Sequence, residues 1–307
     1  MQLDLLLQSG WLQEAAEIEV LDAIAENLSP ADALERAAVG AWDFILFLTG
    51  EKSRIEDQSF VAALADRLPE AQFFASGDVV FFRGDKPFSE YSNLKGIVTD
   101  FAADGMSRFI KGERGRLPGL RYLSEQGDVV RELAVNGALQ YPLPVHDAFP
   151  TARYALPFGA PGPFASVLTN YGCPYPCSYC NAKDVGFRKR DVDAVLAELA
   201  VLKESGFKKI YFRDPTFATD RQHGLAICEG MVERELCFEW NAFSRPDILD
   251  GPMLEVWLGA GAAFYNLVWK HPIWRCLQSI RRPLERIRFE PSSTIATRME
   301  SRFAAIL

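Results

Sequence analysis

The chain has 307 residues, 49% of them hydrophobic and 24% charged, with a formal net charge of −8. That is the balance of a soluble globular protein long enough for two domains. The acidic charge argues against a general nucleic-acid binder, which needs a basic face to offset phosphate. No apolar run approaches the ~20 residues that span a bilayer, and the N-terminus lacks a secretion signal's basic flank, so a cytoplasmic protein is expected.

Residues 3–15 read as a first helix. Residues 18–23 (IEVLDA) read as a strand. Ser29-Pro30-Ala31-Asp32 is a helix start, with a capping serine and a proline suited to the first turn. Residues 43–49 form an apolar run with the look of a strand covered on both faces. A helix over 58–68, strands over 71–75 and 96–100, a short helix near 107–113 and a hairpin around Gln126-Gly127-Asp128 follow. This alternation predicts an α/β domain over residues 1–135 with a doubly wound, Rossmann-like parallel sheet.

Residues 136–163 carry six prolines from Pro142 onward and are expected to be an extended, unpacked linker. Beyond it come a strand at 164–169, a helix at 191–205 with Val192, Val195, Leu196, Leu199 and Leu202 on one face, and a strand at 209–212. A helix at 221–235, expected to bury Leu225, Cys228, Met231 and Val232, then a strand at 238–243, a helix at 252–258 and a strand at 262–269 complete the pattern. Repeated units of this length build a parallel (βα) barrel or part of one.

Cys173, Cys177 and Cys180 form a CxxxCxxC triplet directly after the first of these strands, where parallel barrels place active sites. Three soft thiolates suit an iron–sulfur cluster, and three ligands on four irons leave one iron open to chelate a substrate or cofactor. Zinc is the alternative; a structural zinc site usually has four protein ligands, and only His223 and Cys228 offer a remote fourth.

With these residues in view, the segment resembles the radical SAM superfamily, and residues 16–135 resemble the cobalamin-binding domain that precedes the barrel in one large branch of it. The resemblance extends through Gly172-Cys173-Pro174, residues 211–217 and Ser244-Arg245-Pro246-Asp247. It implies a [4Fe–4S] cluster on the three cysteines and S-adenosylmethionine (SAM) on the open iron. Reductive cleavage of SAM to a 5′-deoxyadenosyl radical follows, with electrons from a donor such as flavodoxin or ferredoxin. It further implies Tyr179, Asp214 and Arg245 as SAM contacts, cobalamin near Ser76, Gly77 and Asp78, and methyl transfer to an unknown substrate.

The resemblance has gaps. The Asp-x-His-x-x-Gly cobalamin ligand motif is absent, since the three histidines are His146, His223 and His271. His146 beside Asp147 reads as an exposed linker histidine or an acid–base pair. The barrel pattern runs over residues 164–269, short of the six βα units of the family. Residues 270–307 read as a divergent tail, with seven arginines and no lysine from His271 onward, as though the barrel were truncated. A radical SAM enzyme of another reaction type with an empty first domain, and an inactive truncated remnant, are therefore competing expectations.

Overall fold

The computed structural model describes residues 2–155 and 163–263. Among the described residues there are three sheets, and the two larger ones contain parallel strands, which makes this an α/β protein. The chain opens on α1 (Leu3–Leu12). An irregular stretch leads to α2 (Pro30–Ala37), where Ser29 Oγ accepts the Asp32 amide as the sequence suggests. Next come β1 (Phe44–Leu48), α3 (Arg54–Arg67), β2 (Gln72–Ser76), the short α4 (Asp78–Phe82) and α5 (Pro87–Glu90), and β3 (Leu94–Val98). Then α6 (Gly105–Ile110), β4 (Leu120–Leu123) and β5 (Val129–Val130) close the first half.

The first sheet has the order β1-β2-β3-β4-β5. Its first three strands are parallel, and β4 and β5 return antiparallel as the hairpin. Alternation along the strands sends Phe73 and Ala75 to a core with α3, and Phe74 to a core with Phe109 and Met106 of α6. Helices thus cover both faces. The expected double winding is corrected in one respect: the described strands run in sequential order, without the reversal that defines it. As the edge strand, β1 is half-buried along its length rather than covered on both faces.

Residues 18–23 are a second correction, because they form no strand. Their apolar pattern serves side-chain packing instead: Val20 packs beside a cluster of Leu6, Phe149, Tyr154, Phe164 and Tyr211. That cluster also corrects the linker. Phe149 and Tyr154 are buried in it, while Leu139 and Tyr141 join Leu7, Leu168 and Tyr171 in another core. The prolines keep this segment irregular, yet its aromatic side chains anchor it.

The second half begins with β6 (Ala165–Val167), then β7 (Asn170–Tyr171) and β8 (Arg188–Lys189), then α7 (Val192–Glu204) and β9 (Lys209–Phe212). It continues through α8 (Arg221–Glu233), β10 (Glu239–Ala242) and α9 (Gly251–Gly259). Strands β6, β9 and β10 form a parallel sheet in the order β10-β9-β6. Ala165, Val167, Ile210, Phe212 and Trp240 point to one face and pack against α7, α8 and α9. Asp191 caps α7, Asp220 caps α8 and Asp250 caps α9, each accepting the amide three residues on. Val232 corrects the buried set of α8: it is 53% exposed, and Ile227 takes its place in the core. Ala262 bridges Trp240 in parallel, at the start of the expected fourth strand. The rest of that strand, His271 and the tail at 270–307 lie outside the described residues.

Candidate functional site

The cysteine triplet sits on a loop pinched off at its base. Strands β7 and β8 pair antiparallel, Asn170 with Lys189 and Tyr171 with Arg188. Gly172 enters the loop with φ +69°, where a side chain would place its Cβ 1.7 Å from the Gly186 carbonyl. Only glycine fits that crossing. Inside the loop the Cys173 amide donates to the Ala182 carbonyl at 3.0 Å, and the Cys180 amide to the Cys177 carbonyl at 3.2 Å.

All three cysteines are free thiols and partly exposed. Thr216 Oγ1 lies 3.7 Å from Cys173 Sγ, and Arg245 Nη1 lies 3.7 Å from Cys177 Sγ. Each of these two sulfurs thus has a polar side chain beside it. Among the described residues no three Cys, His, Asp or Glu side chains converge to hold a metal ion. Three thiolates on one loop are the donor set of a four-iron cluster with an open iron, whereas a structural zinc site usually takes four protein ligands. The remote zinc ligands also fall away. His223 Nε2 lies 2.7 Å from the Arg190 carbonyl, and Cys228 is fully buried in the core, its thiol pushed up to about 12 by that burial.

Arg245 is held on three sides. It donates to both carboxylate oxygens of Asp247 at 3.0 and 2.7 Å, lies 4.1 Å over the Tyr175 ring, and reaches Cys177. The surface ion pair and the approach to the cysteine loop thus coexist in one side chain. Tyr179 is 72% exposed, on the outside of the loop.

Asp214 departs from expectation. It is 1% exposed, and its carboxylate accepts four hydrogen bonds from the residues that lead into the cysteine loop. The amides of Thr169 and Asn170 donate to Oδ1 at 2.7 and 3.2 Å, while Thr169 Oγ1 and Asn170 Nδ2 donate to Oδ2, the latter at 2.9 Å. Two oxygens with two acceptances each leave no lone pair for a SAM amino group. The direct SAM contact is therefore corrected: Asp214 clamps the end of β6 to the start of β7. Burial pushes its carboxyl up to about 7 against the pull of these bonds.

The sign of that shift gives a prediction. Between an unfolded pKa of about 3.9 and the folded value near 7, the native state holds the extra proton. The group's contribution to stability is therefore largest at low pH and is lost as pH rises from about 4 to 7. Asp214→Asn removes this slope in thermal melts. It also costs about 1–3 kcal/mol, because its amide NH2 leaves at least one of the four donors unpaired. An unchanged slope in the variant refutes the assignment.

The third group lines a cavity of about 250 Å3. Its first-sheet wall holds Ser76, Gly77 and Asp78, at the end of β2 and the start of α4. Across from them stand Tyr171, Gly172, Asn181 and Ala182 of the cysteine loop, with Arg213 beside them. Ser76 Oγ donates to Asp4 Oδ2 at 3.0 Å. Gly77 has φ +117°, and a Cβ there would meet the Thr49 carbonyl at 2.1 Å, so the glycine serves the close approach of β1 and β2. Asp4 carries no signal in the sequence, and Arg213 and Thr216 are marked there only as part of the 211–217 stretch; long-range packing brings them to the site.

His146 is corrected too. It is buried, its Nε2 3.5 Å from Glu198 Oε1, while its neighbour Asp147 points to solvent. Glu198 also accepts from Arg190, whose guanidinium lies 4.0 Å over the Tyr141 ring and donates to the Tyr141 hydroxyl at 2.9 Å. Burial raises the Glu198 carboxyl, but His146 and Arg190 together outweigh it and hold it below the ordinary range.

No protein-family model matches this chain. It is 28% identical over 251 residues to an uncharacterized methyltransferase of Pyrococcus horikoshii, covering 77% of this chain and 53% of that protein. It is 24% identical over 264 residues to the hopanoid C-3 methylase of Methylococcus capsulatus, covering 82% and 49%. Among solved structures, the radical SAM methyltransferase TsrM from Kitasatospora setae, with cobalamin and a [4Fe–4S] cluster bound, superposes with a TM-score of 0.60 at 17% identity, over 83% of this chain and 54% of that one. The chain thus spans about half the length of the relatives it matches. Fold and cysteine loop together define an α/β protein with a thiol-rich loop at the end of a parallel strand. The chain is thus similar in sequence to methyltransferases and in fold to a cobalamin-binding radical SAM enzyme.

Proposed function

We propose that this chain is a cobalamin-dependent radical SAM protein of methyltransferase type. In this reading residues 1–135 are a Rossmann-like cobalamin-binding domain, residues 136–163 a linker, and residues 164–269 the first part of a radical SAM barrel. Cys173, Cys177 and Cys180 hold a [4Fe–4S] cluster, and SAM occupies its open iron with Tyr179 and Arg245 nearby. Ser76, Gly77 and Asp78 line the cobalamin site. When bound, these groups supply one-electron chemistry and carry a methyl group.

The observation that carries the reading is the cavity with walls from both halves. It puts the strand-end residues expected to meet cobalamin directly against the cysteine loop. Methyl relay needs these two sites adjacent, because carrier and donor must meet out of water. Each nearby side chain then has a task. Arg245 holds positive charge beside Cys177, and Asp214 fixes where the loop begins. Electrons come from a small flavodoxin- or ferredoxin-type donor. The substrate is a carbon centre that later parts of the barrel select. Among the described residues no helix is long and apolar enough to cross a membrane.

The test is anaerobic reconstitution with iron, sulfide and hydroxocobalamin, followed by dithionite and SAM. The expected result is one cluster and one cobalamin per chain, with breakdown of SAM to 5′-deoxyadenosine or S-adenosylhomocysteine. A cluster without SAM breakdown overturns the catalytic reading. A cluster with breakdown but no retained cobalamin overturns the assignment of the first half.

A further inference from the structure

The base of the cysteine loop is docked on the first sheet by a buried ion pair. Arg188, on β8, donates to Asp100 Oδ2 at 2.5 Å, and their side chains are 7% and 13% exposed. Asp100 follows β3, and its other oxygen accepts the Ala102 amide at 3.0 Å. The Arg188 guanidinium also lies 4.7 Å from the centre of the Tyr171 ring. Tyr171 in turn meets Phe101 edge-on, with ring centroids 5.0 Å apart.

These contacts have a particular placement. Tyr171 and Arg188 are register partners across the mouth of the loop, and Cys173 is two residues beyond Tyr171. Phe101 and Tyr171 both face the cavity. One seam therefore touches a candidate ligand site on one side and a candidate cluster loop on the other. Arg188 Nε has no hydrogen-bond partner among the described residues, so the Asp100 contact carries most of the polar anchoring.

We propose that Asp100 and Arg188 are positioning residues that couple occupancy of the cavity to the geometry of the cysteine loop. The inference rests on the reading of the cavity as a cobalamin site. A planar ligand pressed against Phe101 and Tyr171 fixes the seam, and the seam fixes the backbone entering Cys173. By thermodynamic reciprocity, ordering the loop around a cluster must tighten the cavity by the same factor.

The experiment measures hydroxocobalamin dissociation constants on the full chain before and after cluster reconstitution, with electron paramagnetic resonance of the reduced cluster recorded on cobalamin addition. Wild type is expected to bind cobalamin about 5- to 150-fold tighter once the cluster is in place, and its cluster signal to shift on cobalamin addition. Asp100→Asn and Arg188→Lys are expected to keep iron content and far-ultraviolet circular dichroism while the affinity ratio falls toward one and the shift disappears. The charge-swapped D100R/R188D protein is expected to regain part of the ratio, which separates loss of coupling from misfolding of a single variant. A ratio near one in wild type, or a full ratio and shift in a folded variant, overturns the proposal and leaves the cavity assignment standing. Absence of cobalamin binding to wild type in both states overturns the cavity assignment and the coupling with it.

Discussion

Replacing Cys177 with alanine is expected to leave a folded chain that no longer holds a cluster and no longer breaks down SAM. Cys177 is partly exposed on a loop whose base is closed elsewhere, by β7, β8 and the Gly172 crossing. Its removal costs little stability, since surface changes away from packed features stay within about 0.5 kcal/mol. The chemistry, in contrast, loses one of three thiolates and the sulfur that Arg245 approaches. Two thiolates leave two irons open, and such a cluster dissociates under chelation. Iron and sulfide content, the visible absorption of the cluster and SAM breakdown should all fall to background while circular dichroism stays at wild-type level. A cluster that survives in this variant with normal iron content refutes the ligand assignment.

The largest stability effect is expected at Glu198. Its replacement by alanine strands Arg190 in the interior beside Tyr141, with His146 left unpaired. Breaking a buried pair by removing one partner typically costs about 3–5 kcal/mol, well beyond a surface bridge. The pH dependence has a definite sign. The Glu198 carboxyl is held below its ordinary value, so its contribution is present above the unfolded pKa and is lost as pH falls through the folded one. Wild type should weaken under acid, and Glu198→Ala should show less of that weakening. Urea unfolding at pH 7 and at acid pH measures both effects. A loss under about 1 kcal/mol at pH 7 would place the pair among weak surface bridges and sink the argument. The consequence reaches the cysteine loop, because the Arg190 amide donates to the Thr169 carbonyl at 2.9 Å, just after the loop closes.

Much of this architecture was legible because it depends on local pattern. The 3.6-residue spacing of Val195, Leu199 and Leu202 gave α7, and the apolar run at Phe44–Leu48 gave β1. The cysteine triplet was legible because its spacing is a chemical requirement. Three misreadings share a cause. Residues 18–23 have strand composition but no neighbouring strand to pair with, so they pack by side chains alone. His146 lies in a proline-rich stretch, and nothing local shows that Glu198, 52 residues on, would enclose it. Asp214 stands where a ligand contact is expected, yet four donors from Thr169 and Asn170, 45 and 44 residues earlier, saturate it. Tertiary contacts decide such polar roles, and one-dimensional periodicity does not carry them.

Helix α1 has a consequence in time rather than space. Leu6 and Leu7 are buried in clusters that include Phe149, Tyr211, Leu139 and Leu168. Gln8 Nε2 donates to the Phe101 and Ala103 carbonyls at 2.8 and 2.9 Å, and Trp11 Nε1 to the Ala102 carbonyl at 3.0 Å. Ser9 Oγ accepts the Val145 amide at 2.9 Å. During synthesis α1 therefore gains its partners in two stages, the carbonyls of residues 101–103 first and the side chains of residues 139–211 later. At about 5–20 residues per second, roughly five to twenty seconds separate the two. Full docking of this short helix is thus a late step, completed only when the second half has emerged.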